Sequence, residues 1–285
     1  MKKSLKIIAS VATSTLIVLL APIAVQAASG TSPADVVREV DTATGPFYGL
    51  ANPSIIMPAH TGQSVEISGT EAGAHLSITP ELGGNNSAAQ VGGTTVIGDS
   101  SNSVAIRPLS HGVQLMNVFT RADQNITAYQ VSLPAGETLQ LDPLGGVLVV
   151  LNGKWVGRFS APWAVDAVNR TLPTAYTVTN NTITQTVNTT GAQFPIIADP
   201  HYTWGIVTGT VYFNKSETAH AAADSAFIAG IGYFAPPPFD ALLVASAGYY
   251  ALFASNAVID HKCLEVKSTG LAYEYSGSQG DGYCM

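Results

Sequence analysis

The stretch "SETAH" holds the residues best suited to bind a metal ion. Glu217 and His220 have the Glu-x-x-His spacing, which puts a carboxylate and an imidazole on one face of a helix, and Asp224 extends that face. Bundle proteins that bind two metals need a second such pair on another helix, and no second pair follows. Asp199 and His201 would add ligands only if the fold brought them near. We therefore favour a solvated carboxylate at the positive end of a helix, keep Glu217 and His220 as the metal candidates, and predict no cofactor.

Nucleophilic catalysis is the chemistry suggested by Gly98-Asp99-Ser100. This tripeptide is similar to the nucleophile block of GDS-type esterases, in which the serine begins a helix and a later Asp-x-x-His completes the triad. Here the residues after Ser100 alternate like a strand up to Ile106, and the chain contains no Asp-x-x-His. Because a triad is recognised by its partners, we predict a turn at this position and no catalytic residue.

The N-terminal residues predict export. Three lysines precede an uncharged run from Ile7 to Val25, and Ala24-Val25-Gln26-Ala27 has the small residues that signal peptidase reads, so we predict a cleaved signal peptide over residues 1–27. The whole chain has 12 Lys+Arg and 19 Asp+Glu, and cleavage removes three lysines and no acid, leaving a formal charge of −10. Such an acidic chain is not expected to bind nucleic acid, and anionic lipid should repel it.

Cys263 and Cys284 are the only two cysteines of the chain. An exported protein meets an oxidising environment, so we predict that these two residues form a disulfide. A zinc site would need more ligands than two thiolates.

Alternation of apolar and polar residues dominates the middle of the chain. Asn152-Gly153 in "VLVVLNGKWVGRF" and Asn180-Asn181 in "AYTVTNNTITQTV" lie between alternating arms and favour tight hairpin turns. The first hairpin predicts Leu151 opposite Lys154 and Val149 opposite Val156, and the second predicts Val178 opposite Ile183. Several such strands without interleaved helical periodicity predict an antiparallel β-sandwich-like domain over residues 61–200. Before it, residues 28–60 read as an irregular segment with one short helix from Pro33 to Val40.

Helical patterns begin after residue 200. Asn214 with Glu217 predicts a capping-box helix start. We predict a helical hairpin of residues 216–234 and 239–260, joined by a proline turn and followed by two short strands. The predicted fold class is therefore mixed, with the sandwich-like domain joined at "FPIIADP" to a small disulfide-clipped α+β domain over residues 201–285.

The apolar stretch over residues 227–253 contains a single charged residue, Asp240. A hairpin of this composition suits either a soluble core or a membrane. Its uncharged runs are short for a membrane span, and the surrounding residues are acidic, so we favour the soluble core and disfavour membrane contact. In that arrangement Tyr249, Leu252 and Phe253 are expected to pack under the strands "TVYF" and "CLEVK".

The β segment contains "APWAVDA" and "FPIIADP", and it is followed by "TVYFNKSET", an apolar Ala/Gly region, "KCLEV" and "GYC". In these motifs, residues 112–284 resemble a group of secreted actinobacterial proteins. The resemblance implies secretion and a two-part architecture, and it transfers no catalytic residue.

These observations favour a secreted bacterial protein, either extracellular or associated with the cell wall, that binds an envelope component or another protein without catalysis. The alternative is a bacteriocin-like, membrane-active toxin that uses the helices of residues 216–260. An undetected hydrolase ranks third, because no acid, base and nucleophile converge in the sequence. The sequence does not indicate an oligomeric state.

Overall fold

The computed structural model describes residues 32–45, 47, 54–69, 73–109, 112–142, 145–204, 210–235, 238–276 and 284. The predicted signal peptide and residues 236–237 of the predicted proline turn lie outside the described residues. Within that part of the chain the fold is mixed, as predicted: antiparallel sheets form most of it, and a small α+β part follows at the C-terminus.

The strands that the structure describes all pair antiparallel. They are β1 (Ile55–Ile56), β2 (Val65–Ser68), β3 (His75–Pro80), β4 (Ala89–Val91), β5 (Thr94–Gly98), β6 (Asn102–Leu109), β7 (Gly112–Phe119), β8 (Ile126–Ser132), β9 (Glu137–Leu141), β10 (Val147–Leu151), β11 (Lys154–Phe159), β12 (Trp163–Val165), β13 (Thr174–Thr179), β14 (Thr182–Val187), β15 (Ile196–Asp199), β16 (His201–Trp204), β17 (Thr210–Tyr212), β18 (Cys263–Lys267) and β19 (Ala272–Tyr275). The helices are α1 (Pro33–Thr44), α2 (Lys215–Ala223), α3 (Ser225–Phe234), α4 (Phe239–Ala245) and α5 (Ala247–Ile259).

Two sheets form the sandwich. The six-stranded sheet has the order β1-β2-β3-β8-β14-β13. The ten-stranded sheet has the order β4-β5-β6-β7-β16-β11-β10-β9, with β15 joining β12 to β7. One apolar cluster contains inward-facing side chains of both sheets, such as Ile78 and Tyr129 from the first and Leu115 and Phe159 from the second. The sheets therefore pack face to face over a shared core, as period-2 alternation requires.

Both predicted hairpins are present, and one has a different register. Leu151 pairs with Lys154, and Val178 pairs with Ile183, as predicted. The predicted pairing of Val149 with Val156 is wrong, because a β-bulge leaves Val156 unpaired and puts Val149 opposite Gly157. A Cβ atom on Gly157 would lie 2.1 Å from the Tyr202 hydroxyl oxygen, so the bulge places the residue without a side chain where the ring needs space.

Helix α1 packs on the outer face of the ten-stranded sheet. It begins at a capping box formed by Ser32 and Asp35, and it ends four residues beyond the predicted Val40. Its apolar face, including Val36 and Val40, packs with sheet residues such as Met116.

Four helices replace the predicted hairpin of two. The capping box of Asn214 and Glu217 is confirmed at the start of α2. Asp224 then ends α2 with extended dihedrals and accepts a hydrogen bond from the Ala226 backbone as the N-cap of α3. Ser246 separates α4 from α5, whose axes differ by 80°. The predicted continuous helices are therefore wrong, since Asp and Ser favour helix ends by competing with the backbone for hydrogen bonds.

The C-terminal α+β part, residues 210–276 with Cys284, packs directly on the ten-stranded sheet. Leu148, Val150 and Trp155 of the β10–β11 hairpin share one apolar cluster with α-helical side chains such as Ile228 and Tyr250. Strand β16 lies between β7 and β11 inside the ten-stranded sheet. The β region therefore extends beyond the boundary predicted at residue 200, and includes Trp204.

The predicted contacts of α5 are partly wrong. Tyr249 and Leu252 are 43% and 67% exposed, whereas Tyr250 is fully buried on the opposite face of the helix. Phe253 lies at the rim of the apolar cluster. The buried face of α5 consists of Tyr250 and of small side chains such as Ala254 and Ala257, which let the helix approach its neighbours closely.

The predicted disulfide between Cys263 and Cys284 is confirmed, with the two Cα atoms 5.6 Å apart. It joins β18 to the C-terminal end of the chain.

Candidate functional site

Gly98-Asp99-Ser100 forms the turn between β5 and β6. One oxygen of the Asp99 carboxylate accepts hydrogen bonds from the Ser101 backbone, the Ser101 hydroxyl and the Asn102 backbone. These bonds hold the pKa of Asp99 below its ordinary value. The carboxylate therefore stabilises the turn, as the sequence predicted, and is not available as a base.

Glu217, one of the two metal candidates, makes structural contacts. One carboxylate oxygen accepts a hydrogen bond from the Asn214 backbone at 2.9 Å, and the other lies 2.5 Å from the Arg158 guanidinium. His220 is exposed and stacks on the Phe227 ring, with centroids 5.5 Å apart. Among the described residues, no group of three or more His, Cys, Asp or Glu side chains is arranged to hold a metal ion.

Arg158 joins the two parts of the molecule. Its guanidinium lies 2.6 Å from Asp142 at the end of β9 and 2.5 Å from Glu217 on α2, and all three side chains are buried. Sequence spacing does not reveal this group, because Asp142 and Glu217 belong to separate elements, 16 and 59 positions from Arg158. The two carboxylates share the buried Arg158 guanidinium, and the contact with Glu217 positions α2 on the sheet.

Asp199 and His201 are buried at the join of β15 and β16. Asp199 accepts hydrogen bonds from Gln114 at 2.9 Å and from the Trp163 indole at 2.7 Å, and burial raises its pKa to about 7. Burial lowers the pKa of His201 to about 3. At neutral pH His201 is therefore uncharged. Since both residues are at most 3% exposed, neither reaches a ligand in solvent.

A groove on the outer face of the six-stranded sheet is the candidate binding site. Its volume is ≈ 410 Å³, and cross-strand neighbours on β1, β2, β3 and β8 line it. The row Ile56, Glu66, Ser77 and Ser132 runs across the four strands in register. A second pair, Ser68 opposite His75, lies beside that row. Leu133 and Pro134 complete the lining.

Alternation explains why polar groups line this groove. In β2 and β3 the apolar residues, such as Ile67 and Leu76, point into the sandwich core, so the residues between them point outward. Within the described part of the chain, the side chains of Glu66, His75 and Ser77 make no hydrogen bond with the protein. Their donors and acceptors remain available to a ligand.

The groove has the chemistry of a binding surface. Ser68 and His75 are residue types that can act as a nucleophile and a base. The Ser68 hydroxyl, however, already donates a hydrogen bond to the Ser54 carbonyl oxygen at 3.3 Å. Glu137 lies near His75: burial raises the pKa of Glu137, while a hydrogen bond from the Gly73 backbone and the charge of His75 act in the opposite direction. Hydroxyls, a carboxylate and an imidazole beside the exposed Ile56 can hydrogen-bond a polyhydroxylated ligand and contact its apolar face.

Comparisons with known proteins identify no relative: no protein-family model matches the chain, and neither the curated proteins nor the solved structures contain a match. Within the described residues, no single helix is long and apolar enough to cross a membrane. The pair α4 and α5 would pass that test only together, across its 80° bend.

Proposed function

We propose that this chain is a secreted bacterial protein of the cell envelope that binds a glycan without transforming it. The observation that carries this proposal is the groove over β1, β2, β3 and β8, where polar side chains without protein partners converge on a preformed sheet. A rigid sheet costs little ordering on binding, which suits a recognition module. The disulfide between Cys263 and Cys284 supports an exported protein.

Two further observations favour binding over catalysis. The candidate acid and base, Asp199 and His201, are buried under other elements, and the Asp99 carboxylate is committed to its turn. The groove is open along the sheet, so a chain-like ligand can lie across the strands. Bacterial envelope glycans are chains of this kind.

A tyrosine placed in the groove provides the test. The exported protein, without its signal peptide, is incubated with a bacterial cell-wall glycan fraction, and the bound fraction is measured after sedimentation. Ser77→Tyr fills the middle of the groove with a residue that strands accept, so we expect the affinity to fall at least about tenfold. Thr177→Tyr, at an exposed position on β13 of the same sheet, is the matched control and should bind like the parent.

Two outcomes would contradict the proposal. Either the parent protein fails to sediment with the glycan, or Ser77→Tyr binds as well as Thr177→Tyr. In the second case the ligand lies elsewhere on the molecule.

A membrane-active toxin is the second candidate, supported by the apolar, bent pair α4 and α5. Release of a dye from neutral lipid vesicles tests it directly. The binding protein is expected to release no dye, whereas a toxin releases it in proportion to its concentration.

A further inference from the structure

The six-stranded sheet is built from sequence that contains no basic residue. Its strands come from three stretches without Lys or Arg, which are residues 39–106, 122–153 and 171–214. Within the six strands as the structure describes them, Glu66 on β2 is the single Asp, Glu, Lys or Arg residue. Elsewhere the exposed face carries hydroxyls, such as those of Ser132 on β8 and Thr186 on β14. Glu66 is therefore an isolated charge on an otherwise neutral surface.

This isolated charge lies in the groove. Glu66 pairs with Ile56 of β1 on one side and with Ser77 of β3 on the other, and all three line the groove. In the described part of the chain, the Glu66 carboxylate makes no hydrogen bond or ion pair with the protein. Its charge is therefore available to a ligand and is not neutralised by a neighbour.

The side chains around Glu66 suit a sugar ring. Ser77 and Ser132 offer hydroxyls along the row, His75 offers ring nitrogens, and Ile56 is 59% exposed. The row from β1 to β8 crosses three strand spacings, about 14 Å. An extended oligosaccharide can lie along it, with its hydroxyls at the polar side chains and the apolar face of a ring on Ile56.

Charge complementarity selects the kind of sugar. A carboxylate without a basic neighbour repels polymers that carry phosphate or carboxylate groups. An uncharged sugar would cover the Glu66 carboxylate without supplying a charged partner, which makes the loss of hydration costly. A protonated amino group instead gives the carboxylate a charge-assisted hydrogen bond. The groove therefore fits a sugar chain with free amino groups better than an acetylated or an anionic one.

We propose that the groove binds a glycan whose sugars carry free amino groups, and that Glu66 determines this specificity by contacting an ammonium group. This inference rests on the proposed glycan-binding function and adds the chemical class of the ligand. Such a glycan is formed when the acetamido groups of N-acetylated sugars are hydrolysed to amines and acetate. An amide-hydrolysing reaction must therefore supply the ligand.

Two oligosaccharides of equal length and linkage, one of glucosamine and one of N-acetylglucosamine, test the assignment. Isothermal titration calorimetry of the mature chain, at neutral pH and low ionic strength, measures both affinities. We expect the parent to bind the glucosamine oligomer at least about fivefold more tightly. Glu66→Gln keeps the size of the side chain and removes its charge, so this variant should lose the preference. Glu66→Lys reverses the charge and should favour the acetylated oligomer.

Glu81→Gln is the matched control. It makes the same change in net charge at an exposed residue that follows β3 outside the groove, and it should keep the preference of the parent. Circular dichroism checks that all variants are folded.

Three results would overturn the proposal. The parent binds the two oligomers equally, or it binds neither, or Glu66→Gln retains the preference as Glu81→Gln does. The last result would assign the preference to the net charge of the chain. The glycan-binding function is judged separately by Ser77→Tyr: if this variant still weakens binding to the cell-wall glycan fraction, that function stands and only the assignment of the amino group fails.

Discussion

At the scale of single residues, Asp199 and His201 have pKa values shifted in opposite directions by burial. Folded Asp199 has a pKa of about 7 against an ordinary 3.8, and folded His201 has a pKa of about 3 against 6.5. The hydrogen-bonding neighbours of Asp199 are the uncharged Gln114 and Trp163, and Arg107 lies across from Gln114 on β6. Desolvation is the main cause of both shifts.

The two shifts have opposite effects on stability as pH changes. Native Asp199 keeps a proton that the unfolded chain loses, so stability falls as pH rises from about 4 to about 7. Unfolded His201 takes up a proton that the native state does not, so stability falls as pH drops from about 6.5 to about 3. Between about pH 4 and 6.5 the two groups give the free energy of unfolding opposite slopes with pH, and these slopes cancel.

We predict that Asp199→Asn removes this cancellation. Asparagine keeps an acceptor oxygen for Gln114 and Trp163 but binds no proton, so only the His201 contribution remains. Relative to the parent, the free energy of unfolding should gain a positive slope with pH of about 1.4 kcal/mol per unit. Urea denaturation at pH 4.5 and pH 6.5 measures the slope, and equal slopes in the two proteins would contradict the assignment.

We also predict a large effect of Glu217→Ala. The substitution removes one of the two carboxylates that compensate Arg158 in a buried site and also breaks the capping box of α2. Because Arg158 keeps Asp142 as a partner, the expected loss is that of one charged hydrogen bond and of the helix cap, about 2–4 kcal/mol in the free energy of unfolding. Lys262→Ala is the control, because its ion pair with Glu274 is partly exposed and should contribute less than about 1 kcal/mol. Chemical denaturation compares the two, and similar losses would refute the structural role of Glu217.

At the scale of elements, helix α5 has two apolar faces, of which one is buried and the other is exposed to solvent. The buried face has small residues and Tyr250, whose hydroxyl donates to the Gly270 carbonyl at 3.2 Å. The exposed face carries Leu252 and Ile259. Hydropathy alone does not separate these faces, because both are apolar.

Aspartate substitutions on the two faces should therefore differ. Ala254→Asp puts a carboxylate at a fully buried position without a partner, and we expect it to unfold the C-terminal α+β part. Leu252→Asp places the same group in solvent and should change the stability of the protein by less than about 1 kcal/mol. Thermal melts followed by circular dichroism measure both. A stable Ala254→Asp protein would show that α5 is not packed on the core as described.

At the scale of the whole molecule, the β region and the C-terminal part share an apolar cluster. Trp155 of β11 is 4% exposed and packs with the helical side chains in that cluster. Buried Arg158 adds charged contacts to the same interface. Two regions joined by a common core should unfold together.

We predict that Trp155→Ala lowers the stability of both regions. Removal of a buried tryptophan side chain should cost about 3–5 kcal/mol. Trp155→Phe keeps an aromatic ring and removes an indole N–H that has no hydrogen-bond partner among the described residues, so its effect should be smaller. Hydrogen exchange followed by mass spectrometry reports on β3 and α5 separately. Faster exchange in α5 alone would mean that the two regions unfold independently.

Local patterns determined much of the fold. Alternating residues around Asn152-Gly153 and Asn180-Asn181 specified two hairpins, because these turns need dihedrals that asparagine and glycine adopt readily. The Asn214 and Glu217 pair specified a helix start, because both hydrogen bonds of a capping box form between residues three positions apart. Such features depend only on neighbours in the sequence.

Tertiary structure alone decided the features that join distant segments. The candidate groove needs Glu66, Ser77 and Ser132 in one row, and that row exists only because β8 pairs with β3, whose partner residues, such as Ser77 and Ser132, are far apart in the sequence. The charge group of Arg158 and Glu217, the central place of β16 and the choice of buried face on α5 also depend on packing between elements. Sequence determines which residues could face outward or carry charge. The free energy of burying the apolar surface decides which of these residues lie next to each other, and this free energy depends on the whole chain.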